Sequence, residues 1–316
     1  MEGVDFSKLV GSYYVRKPLG SGGSASVFLG EHCQTKEEVA LKLIAKGNLS
    51  ASKLKQFVNT ETSILQSLSH TNVIEILDVD WSATYFDSRG NEKECVLIAL
   101  ELSQNYDLFD YIKYTGPFDE KLARSLFKSL LDAVAHCHEN FVFHRDLKLE
   151  NLVIGQDYKL KVIDFGLAKA CSSDNELLTT KVGTEGGGYM APEIVGGRPY
   201  RGSSCDIWSL GVVCFIFLTG HPPFESSSGH DWYFQAISRK RFDRFWAAHL
   251  RSSPVLSEAA MDFLSSILQA SPSDRASISE MREHAWLRNE DFLLDEEQVA
   301  ARLSERKCEI DRIKGS

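Results

Sequence analysis

The pattern of apolar and polar positions differs between the two parts of the chain. Up to residue 46, short runs rich in β-branched and aromatic residues alternate with turn residues, which is typical of β-strands. Residues 51–68 instead carry leucine and valine at helical intervals, which predicts an amphipathic helix. We predict strands at residues 13–15, 27–29, 39–44, 73–79 and 95–100, with a polar stretch at 82–94 between the last two.

Beyond residue 101 the pattern becomes helical. Long helices are predicted at 119–139, 204–219 and 257–269. In the C-terminal residues, acids at 295–297 precede bases, and Val299, Leu303 and Ile310 share one face, which predicts another helix. The predicted fold class is therefore α+β, with a small β-rich part followed by a larger α-rich part.

Composition limits the classes of protein that are possible. The 316 residues include 43% apolar and 25% charged residues, which is typical of a globular protein. The net charge of −9 argues against a nucleic-acid partner. The longest apolar run, 212–218, is far shorter than the roughly 20 residues of a membrane span. The N-terminus has no signal segment and the seven cysteines are scattered, so we predict an intracellular protein, cytoplasmic and/or nuclear.

A glycine-rich stretch at 20–27 (Gly-Ser-Gly-Gly-Ser-Ala-Ser-Val) is the first candidate for chemistry. Glycines let backbone N–H groups approach phosphates closely. The stretch also matches the dinucleotide-binding pattern, but that pattern requires a helix to follow. Because strand-like residues 27–29 follow instead, the sequence favours a β-hairpin over phosphates and excludes a dinucleotide-binding enzyme.

Lys42 and Glu61 form a second candidate. Lys42 shares a strand face with Ala40 and Ile44, and Glu61 lies on the apolar stripe of the predicted 51–68 helix. An unpaired carboxylate there would be costly. We therefore expect the two side chains to pair and to place Lys42 for phosphate binding.

Three further motifs follow in order. They are residues 144–151 (His-Arg-Asp-Leu-Lys-Leu-Glu-Asn), 164–166 (Asp-Phe-Gly) and 191–193 (Ala-Pro-Glu). Together with the glycine-rich stretch and residues 39–42 (Val-Ala-Leu-Lys), they resemble the protein-kinase family over residues 13–287. Lys148 is typical of serine/threonine kinases. Residues 108–112, 209–212, 220–224 and 284–286 resemble the calcium/calmodulin-dependent and AMP-activated-kinase-like group.

The resemblance implies the bilobal protein-kinase fold. It divides the chain into an N-terminal extension (1–12), a small β-rich N-lobe with one key helix (13–102), a hinge (101–105), a larger helical C-lobe (106–287) and a C-terminal helical tail (288–316).

The resemblance also implies ATP and Mg²⁺ as cofactors. Asp146 would accept the proton of the substrate hydroxyl, and Lys148 would hold the transferring phosphate. Asn151 and Asp164 would bind Mg²⁺. The implied nucleotide-binding residues are Gly20, Gly22, Val27, Ala40, Lys42, Glu61, Leu100, Glu101, Leu102, Asp107 and Val153. Asp206 would brace residues 144–151, the catalytic loop of the family, and Glu193 would pair with Arg275.

Substrate choice and control follow from the same resemblance. Glu150 and Asp107 would receive an arginine three residues before the acceptor, and Thr184 would also lie on the substrate side. Thr180 is implied as a phosphorylation site whose phosphate would meet Arg145 and Lys169. The residue three positions before Thr180 is Leu177 and not an arginine, so the enzyme would be a poor substrate for itself. We therefore expect a separate upstream activating kinase.

Some features depart from the family pattern. Ala25 stands where a third glycine is usual, and the glycines at 186–188 make the segment between Thr184 and Tyr189 two residues longer than usual.

A pseudokinase scaffold is the alternative function, although Lys42, Asp146 and Asp164 are all present. The tail at 299–314 favours a helix packed on the large lobe over a calmodulin-binding segment.

Overall fold

The computed structural model describes residues 9–21, 25–47, 50–87, 89–184, 186, 188–251, 256–289 and 293–315. The chain forms two compact units. The first unit contains the described residues up to Ser69 together with Val73–Gln104, and the second contains His70–Asn72 and the chain from Asn105 onward. The predicted α+β class is confirmed.

The first unit is built on an antiparallel sheet in the order β1-β2-β3-β4-β7-β5, with β6 paired to β7. Its elements are β1 (Leu9–Val10), β2 (Tyr13–Ser21), β3 (Ser26–His32), β4 (Glu38–Ala45), helix α1 (Ala51–Ser67), β5 (Ile76–Asp80), β6 (Thr84–Phe86) and β7 (Glu92–Glu101). The polar stretch 82–94 is therefore not only a connection, because it contains β6 and the start of β7.

Alternation along the strands separates two apolar clusters in this unit. One face of the sheet buries residues such as Phe28, Leu41 and Leu97. The other face packs against α1, where Ile44 contributes to a cluster with Val58. Helical residues of α1 thus cover the sheet face to which Lys42 belongs.

The second unit is mainly helical. Its helices are α2 (Leu108–Thr115), α3 (Glu120–Glu139), α4 (Pro192–Val195), α5 (Gly202–Thr219), α6 (Trp232–Ser238), α7 (Phe242–His249), α8 (Glu258–Ile267), α9 (Ile278–Glu283), α10 (Ala285–Arg288) and α11 (Glu296–Gly315). Short strand pairs join β8 (Val142–Phe143) to β11 (Lys169–Ala170), β9 (Leu152–Ile154) to β10 (Leu160–Val162), and β12 (Leu177–Leu178) to β13 (Tyr200–Arg201). Single 3₁₀ turns occur at Leu149–Asn151, Phe165–Leu167 and Pro272–Asp274.

Side-chain hydrogen bonds cap the N-termini of helices α3 and α8. The Asp119 carboxylate accepts hydrogen bonds from the backbone N–H groups of Lys121 and Leu122, and so caps α3 at its predicted start. Ser257 caps α8 in the same way, by accepting from the N–H of Ala260.

Helix α5 is the core helix of the second unit. It is 18 residues long and apolar enough to cross a membrane by length and composition alone, but 83% of it is buried inside the protein. Gly211 lets α8 approach closely, because a Cβ there would lie 2.8 Å from Ile267 Cγ2. The apolar character of α5 therefore reflects its burial on all sides inside the second unit.

Helix α11 packs against α2 and α3. Leu303 and Ile310 are fully buried on its inner face. This confirms the helix and the packing that the charge order and apolar face of the tail predict.

Candidate active site

The first unit gathers several of the predicted nucleotide-binding residues on one face of its sheet. The strand register pairs Val27 with Lys42 and Ala40 with Leu100, and paired residues of an antiparallel sheet point to the same side. Residues 27, 40, 42 and 100 therefore share this face.

Lys42 and Glu61 meet on that face. Lys42 Nζ lies 2.6 Å from Glu61 Oε1, and both side chains are almost completely buried, with 11% and 2% of their surface exposed. The charge of the ammonium compensates for burial of the carboxylate. The pairing expected from the sequence is present.

Gly20, Glu101 and Leu102 lie at or beside the ends of strands in the first unit. Gly20 is paired with Val27 near the end of β2, and Gly22 lies outside the described residues. Glu101 ends β7, where its backbone N–H donates to the Glu75 carbonyl at 2.9 Å. Leu102 follows it and is buried.

In the second unit, the segment 144–151 is fastened to α5 through Asp206. The buried Asp206 carboxylate accepts hydrogen bonds from the backbone N–H of His144 at 2.9 Å and of Arg145 at 2.7 Å. His138 Nε2 lies 2.9 Å from the same carboxylate. Arg145 adopts a positive φ of 64°, a strained conformation that these bonds support.

Asp146 is the centre of a cluster of polar side chains. Asp146 Oδ1 accepts hydrogen bonds from the hydroxyl and the backbone N–H of Thr184, both at 2.8 Å. Lys148 Nζ lies 3.0 Å from Asp146 Oδ2 and donates to the Thr184 hydroxyl at 2.6 Å. Asn151 Nδ2 donates to the Asp146 backbone carbonyl at 2.8 Å. The structure thus brings the predicted residues 146, 148, 151 and 184 together.

Asp164 begins the short 3₁₀ turn Phe165–Leu167. It has a left-handed φ of 61°, and its side chain accepts a bond from the Gly166 N–H. The Ile163 N–H donates to the Asn151 backbone carbonyl at 3.0 Å, which ties the two predicted magnesium-binding segments together.

The donor set of Asn151 and Asp164 fits Mg²⁺. The Asn151 amide nitrogen is used by Asp146, which leaves its amide oxygen as the donor for a cation, and a carboxylate is the second hard oxygen ligand. Within the described ranges, no group of three or more His, Cys, Asp or Glu side chains could hold a metal alone. Phosphate oxygens and water molecules would supply the remaining oxygen ligands.

An acidic group lies at the start of α2. The Asp107 side chain caps this helix by accepting from the Asp110 N–H at 2.8 Å, and its backbone forms a bridge with Val153. Burial, together with the charges of Asp110 and Glu150, raises the pKa of Asp107 to about 6. Lys314 of α11 lies 2.6 Å from Asp110, a contact that nothing in the sequence predicts.

The predicted regulatory residues lie on neighbouring segments. Lys169 in β11 is exposed and pairs with Phe143, two residues before Arg145. Arg145 Nη1 lies 3.3 Å from the Tyr200 hydroxyl, which in turn donates to the backbone carbonyl of Thr180 at 2.9 Å. Sequence reasoning missed Tyr200, because no motif includes it.

The ion pair predicted between Glu193 and Arg275 is present. Arg275 donates two hydrogen bonds of 2.7 Å to the two Glu193 oxygens, and both side chains are buried. A bidentate pair of this kind holds α4 to the segment before α9.

Comparisons with known proteins agree with this arrangement. Residues 13–287 match the family described as "Protein kinase domain". The chain is 33% identical over 308 residues to CBL-interacting serine/threonine-protein kinase 24 of Arabidopsis thaliana, covering 97% of this chain and 64% of that protein. It is 34% identical over 286 residues to CBL-interacting protein kinase 11 of Oryza sativa subsp. japonica, covering 89% and 52%.

A fungal protein is similar to the same extent. Carbon catabolite-derepressing protein kinase of Candida tropicalis is 32% identical over 310 residues, covering 98% of this chain and 46% of that protein. The chain thus spans less than two thirds of the length of each of these three relatives. With the family match extending over 13–287 and the motifs assembled as described, the chain belongs to the protein kinase family, as a protein kinase domain of the serine/threonine type.

Proposed function

We propose that this chain transfers the γ-phosphoryl group of ATP to serine or threonine hydroxyls of protein substrates. The observation that carries the proposal is the contact at Asp146. Its carboxylate already accepts a hydrogen bond from a hydroxyl, that of Thr184, and the Lys148 ammonium donates to the same hydroxyl oxygen. A substrate hydroxyl needs the same two partners.

Positioning and charge compensation carry most of the work in phosphoryl transfer. Asp146 would orient the acceptor hydroxyl and take its proton as the oxygen bonds to phosphorus. Lys148 would offset the negative charge on the transferring group, and Lys42, held by Glu61, would do the same at the α/β-phosphates. ADP would leave as the bond to the γ-phosphorus breaks.

Mg²⁺ is the proposed metal, held by Asn151 and Asp164. When bound, it supplies positive charge to the phosphate oxygens. The hydrogen bond from Asn151 to Asp146 would couple the metal-binding residue to the residue that orients the substrate.

Two substitutions test the reaction. Asp146→Asn is expected to lower kcat about 10²–10⁴-fold, because a positioned base is lost. Asp164→Ala is expected to nearly abolish transfer. Asp262→Asn, at an exposed position in α8, is the matched control and should retain activity. Wild-type turnover of generic peptides by both site variants would refute the assignment, and a wild-type chain that transfers no phosphate would favour the pseudokinase scaffold.

We propose further that the substrates are basic. The negative charge of Glu150 contributes to the raised pKa of Asp107. This supports a common acidic site in which both carboxylates bind one guanidinium group. Some kinases that prefer basic substrates have a further acid for an arginine two residues before the acceptor (position minus two), and here that residue is Gln235. Arginine three residues before the acceptor (position minus three) should therefore be preferred over arginine at minus two. A positional-scanning peptide library tests this, with Glu150→Gln as the variant expected to lose the preference. No basic preference at minus three would contradict it.

We also propose control by phosphorylation of Thr180. A phosphate brings about −1.5 to −2 charges and could order the segment against Arg145 and Lys169. Thr180 is exposed, as an acceptor for an upstream kinase must be. Protein made in bacteria should carry an unmodified Thr180 and be weakly active. Intact mass spectrometry showing full phosphorylation without an added kinase would contradict control in trans, and full activity of Thr180→Ala would contradict the switch.

Protein substrates and an upstream activating kinase are the proposed partners. Calmodulin is less favoured, because Leu303 and Ile310, the apolar residues it would bind, are buried against the second unit. We place the activity inside the cell, in the cytoplasm, the nucleus or both, where the seven free cysteines would stay reduced.

A further inference from the structure

The activation segment, residues 164–184, is attached to the loop 144–151 through Arg145 while Thr180 is unmodified. Arg145 Nε donates a hydrogen bond of 2.8 Å to the carbonyl of Leu167, in the turn that follows Asp164. The Arg145 backbone N–H is bonded to the buried Asp206 carboxylate. One end of the activation segment is thus tied to the loop that carries Asp146.

Thr180, in the second half of the activation segment, is attached through Tyr200. Its hydroxyl accepts from Arg145 Nη1 at 3.3 Å and donates to the backbone carbonyl of Thr180 at 2.9 Å. A phenol can donate and accept at the same time, so one hydroxyl serves both partners. Tyr200 is only 3% exposed, and burial raises the pKa of its hydroxyl, which keeps the donor protonated at neutral pH.

The backbone of Tyr200 reinforces this attachment. Strand β13 pairs Tyr200 with Leu178 of β12, so the strand pair fixes the segment two residues before the carbonyl that the hydroxyl contacts. Two independent contacts from one residue therefore define the path of residues 178–180. Neither contact uses the Thr180 side chain, to which a phosphate would be attached.

We propose that Tyr200 is a positioning residue that holds Arg145 and the Thr180 carbonyl in place when Thr180 is unmodified. The inference rests on the proposed kinase function and deepens it, because it assigns the basal activity to a defined contact. Tyr200 acts through Arg145 on Asp146, the next residue in the chain, and does not touch substrate. Since its partner at residue 180 is a carbonyl, the contact is independent of the side chain at that position.

This independence makes a clean experiment possible. Thr180→Ala removes the phosphorylation site but keeps the carbonyl, so it serves as the parent protein. In this background, Tyr200→Phe deletes only the hydroxyl, and Tyr158→Phe, in the turn between β9 and β10, is the matched control. For each protein we would measure kcat, the KM for ATP, the melting temperature and backbone hydrogen exchange.

Loss of a hydrogen bond that involves a charged group predicts a roughly tenfold fall in kcat for Tyr200→Phe. The KM for ATP should stay within about twofold, because the nucleotide contacts are unchanged. Hydrogen exchange should accelerate at residues 177–184, while the melting temperature stays close to that of the Tyr158→Phe control.

Two results would overturn the inference. One is a kcat within twofold of the parent, and the other is faster exchange throughout the second unit with a lowered melting temperature, which would indicate a purely structural role. If the wild-type chain transferred no phosphate at all, the proposed function would fail. The exchange of residues 177–184 would then still decide whether Tyr200 holds the segment.

Discussion

Two charged side chains of the first unit, Lys42 and Glu61, are almost removed from solvent and neutralise each other. Glu61 Oε2 is buried without a hydrogen-bond partner in the described part of the chain. The negative charge of this carboxylate is therefore compensated mainly by the Lys42 ammonium. Breaking a buried pair by removing one partner leaves an uncompensated charge, which costs more than removing both.

Lys42→Met should therefore reduce both activity and stability. We expect the free energy of unfolding to fall by about 3–5 kcal/mol, because Glu61 remains buried and unpaired. The double variant Lys42→Met with Glu61→Leu should recover most of this stability but none of the activity. Urea unfolding and peptide phosphorylation measure the two effects, and a single variant as stable as the wild type would contradict the prediction.

A pH effect on substrate choice is expected at Asp107. Its pKa of about 6 means that the carboxylate is ionised at pH 7.5 and largely protonated at pH 5.5. The preference for a peptide with arginine at minus three over one with alanine, measured as the ratio of kcat/KM values, should fall roughly threefold to fivefold over this range.

Asp107→Asn provides the control for this pH effect, because asparagine also caps helices. The variant should show a weaker preference for arginine that no longer changes between pH 7.5 and 5.5. A wild-type ratio that does not change with pH would exclude Asp107 as the titrating group.

Among the elements, helix α11 is bound to the rest of the second unit by both polar and apolar contacts. Arg306 donates to the carbonyls of Thr115, Gly116 and Pro117, at 3.3, 3.0 and 2.8 Å, and so satisfies acceptors at the C-terminal end of α2. The Arg306 guanidinium also lies 4.8 Å from the centre of the Phe118 ring. Polar and apolar contacts thus fix the same helix.

The buried face of α11 should contribute measurably to folding. Leu303→Ala is expected to lower the free energy of unfolding by about 2–5 kcal/mol, since Leu303 is fully buried. Ile313→Ala, on the same helix but 43% exposed, is the control and should cost less than about 1 kcal/mol. Equal effects in urea unfolding would show that α11 is not part of the cooperative core.

At the scale of the whole molecule, stability should depend on pH through a buried histidine. His249 is 5% exposed, lies 3.0 Å from the Pro223 carbonyl and packs against the Phe215 ring. Burial lowers its pKa to about 4, and the nearby His221 adds to the shift. Between pH 6.5 and 4 the unfolded chain binds a proton that the folded protein does not, so stability falls as the pH falls.

Lowering the pH from 7 to 5 should therefore cost about 2 kcal/mol through His249. His249→Gln cannot bind this proton, so the variant should lose that part of the pH dependence, whatever its stability at pH 7. The measurement is the free energy of urea unfolding at both pH values. Parallel pH profiles for the two proteins would contradict the assignment to His249.

Features encoded by local patterns could be predicted from the amino-acid sequence. Residue alternation and helical spacing predicted strands β2, β3, β4, β5 and β7 of the first unit together with α1, α3 and α11, because a period of two or 3.6 residues directly reflects which face is buried. Ordered motifs pointed to the kinase family and to Asp146, Lys148 and Asn151, which the structure brings together.

Contacts between distant residues that belong to no motif became visible only in the folded protein. Tyr200 reaches the Thr180 carbonyl and Arg145, and Lys314 reaches Asp110 across 204 positions of sequence. The strand β6 inside a polar stretch also escaped prediction, because its pairing with β7 compensates for weak local signals. Such contacts depend on how whole elements pack, and a single hydroxyl or ammonium group leaves no periodic trace in the sequence.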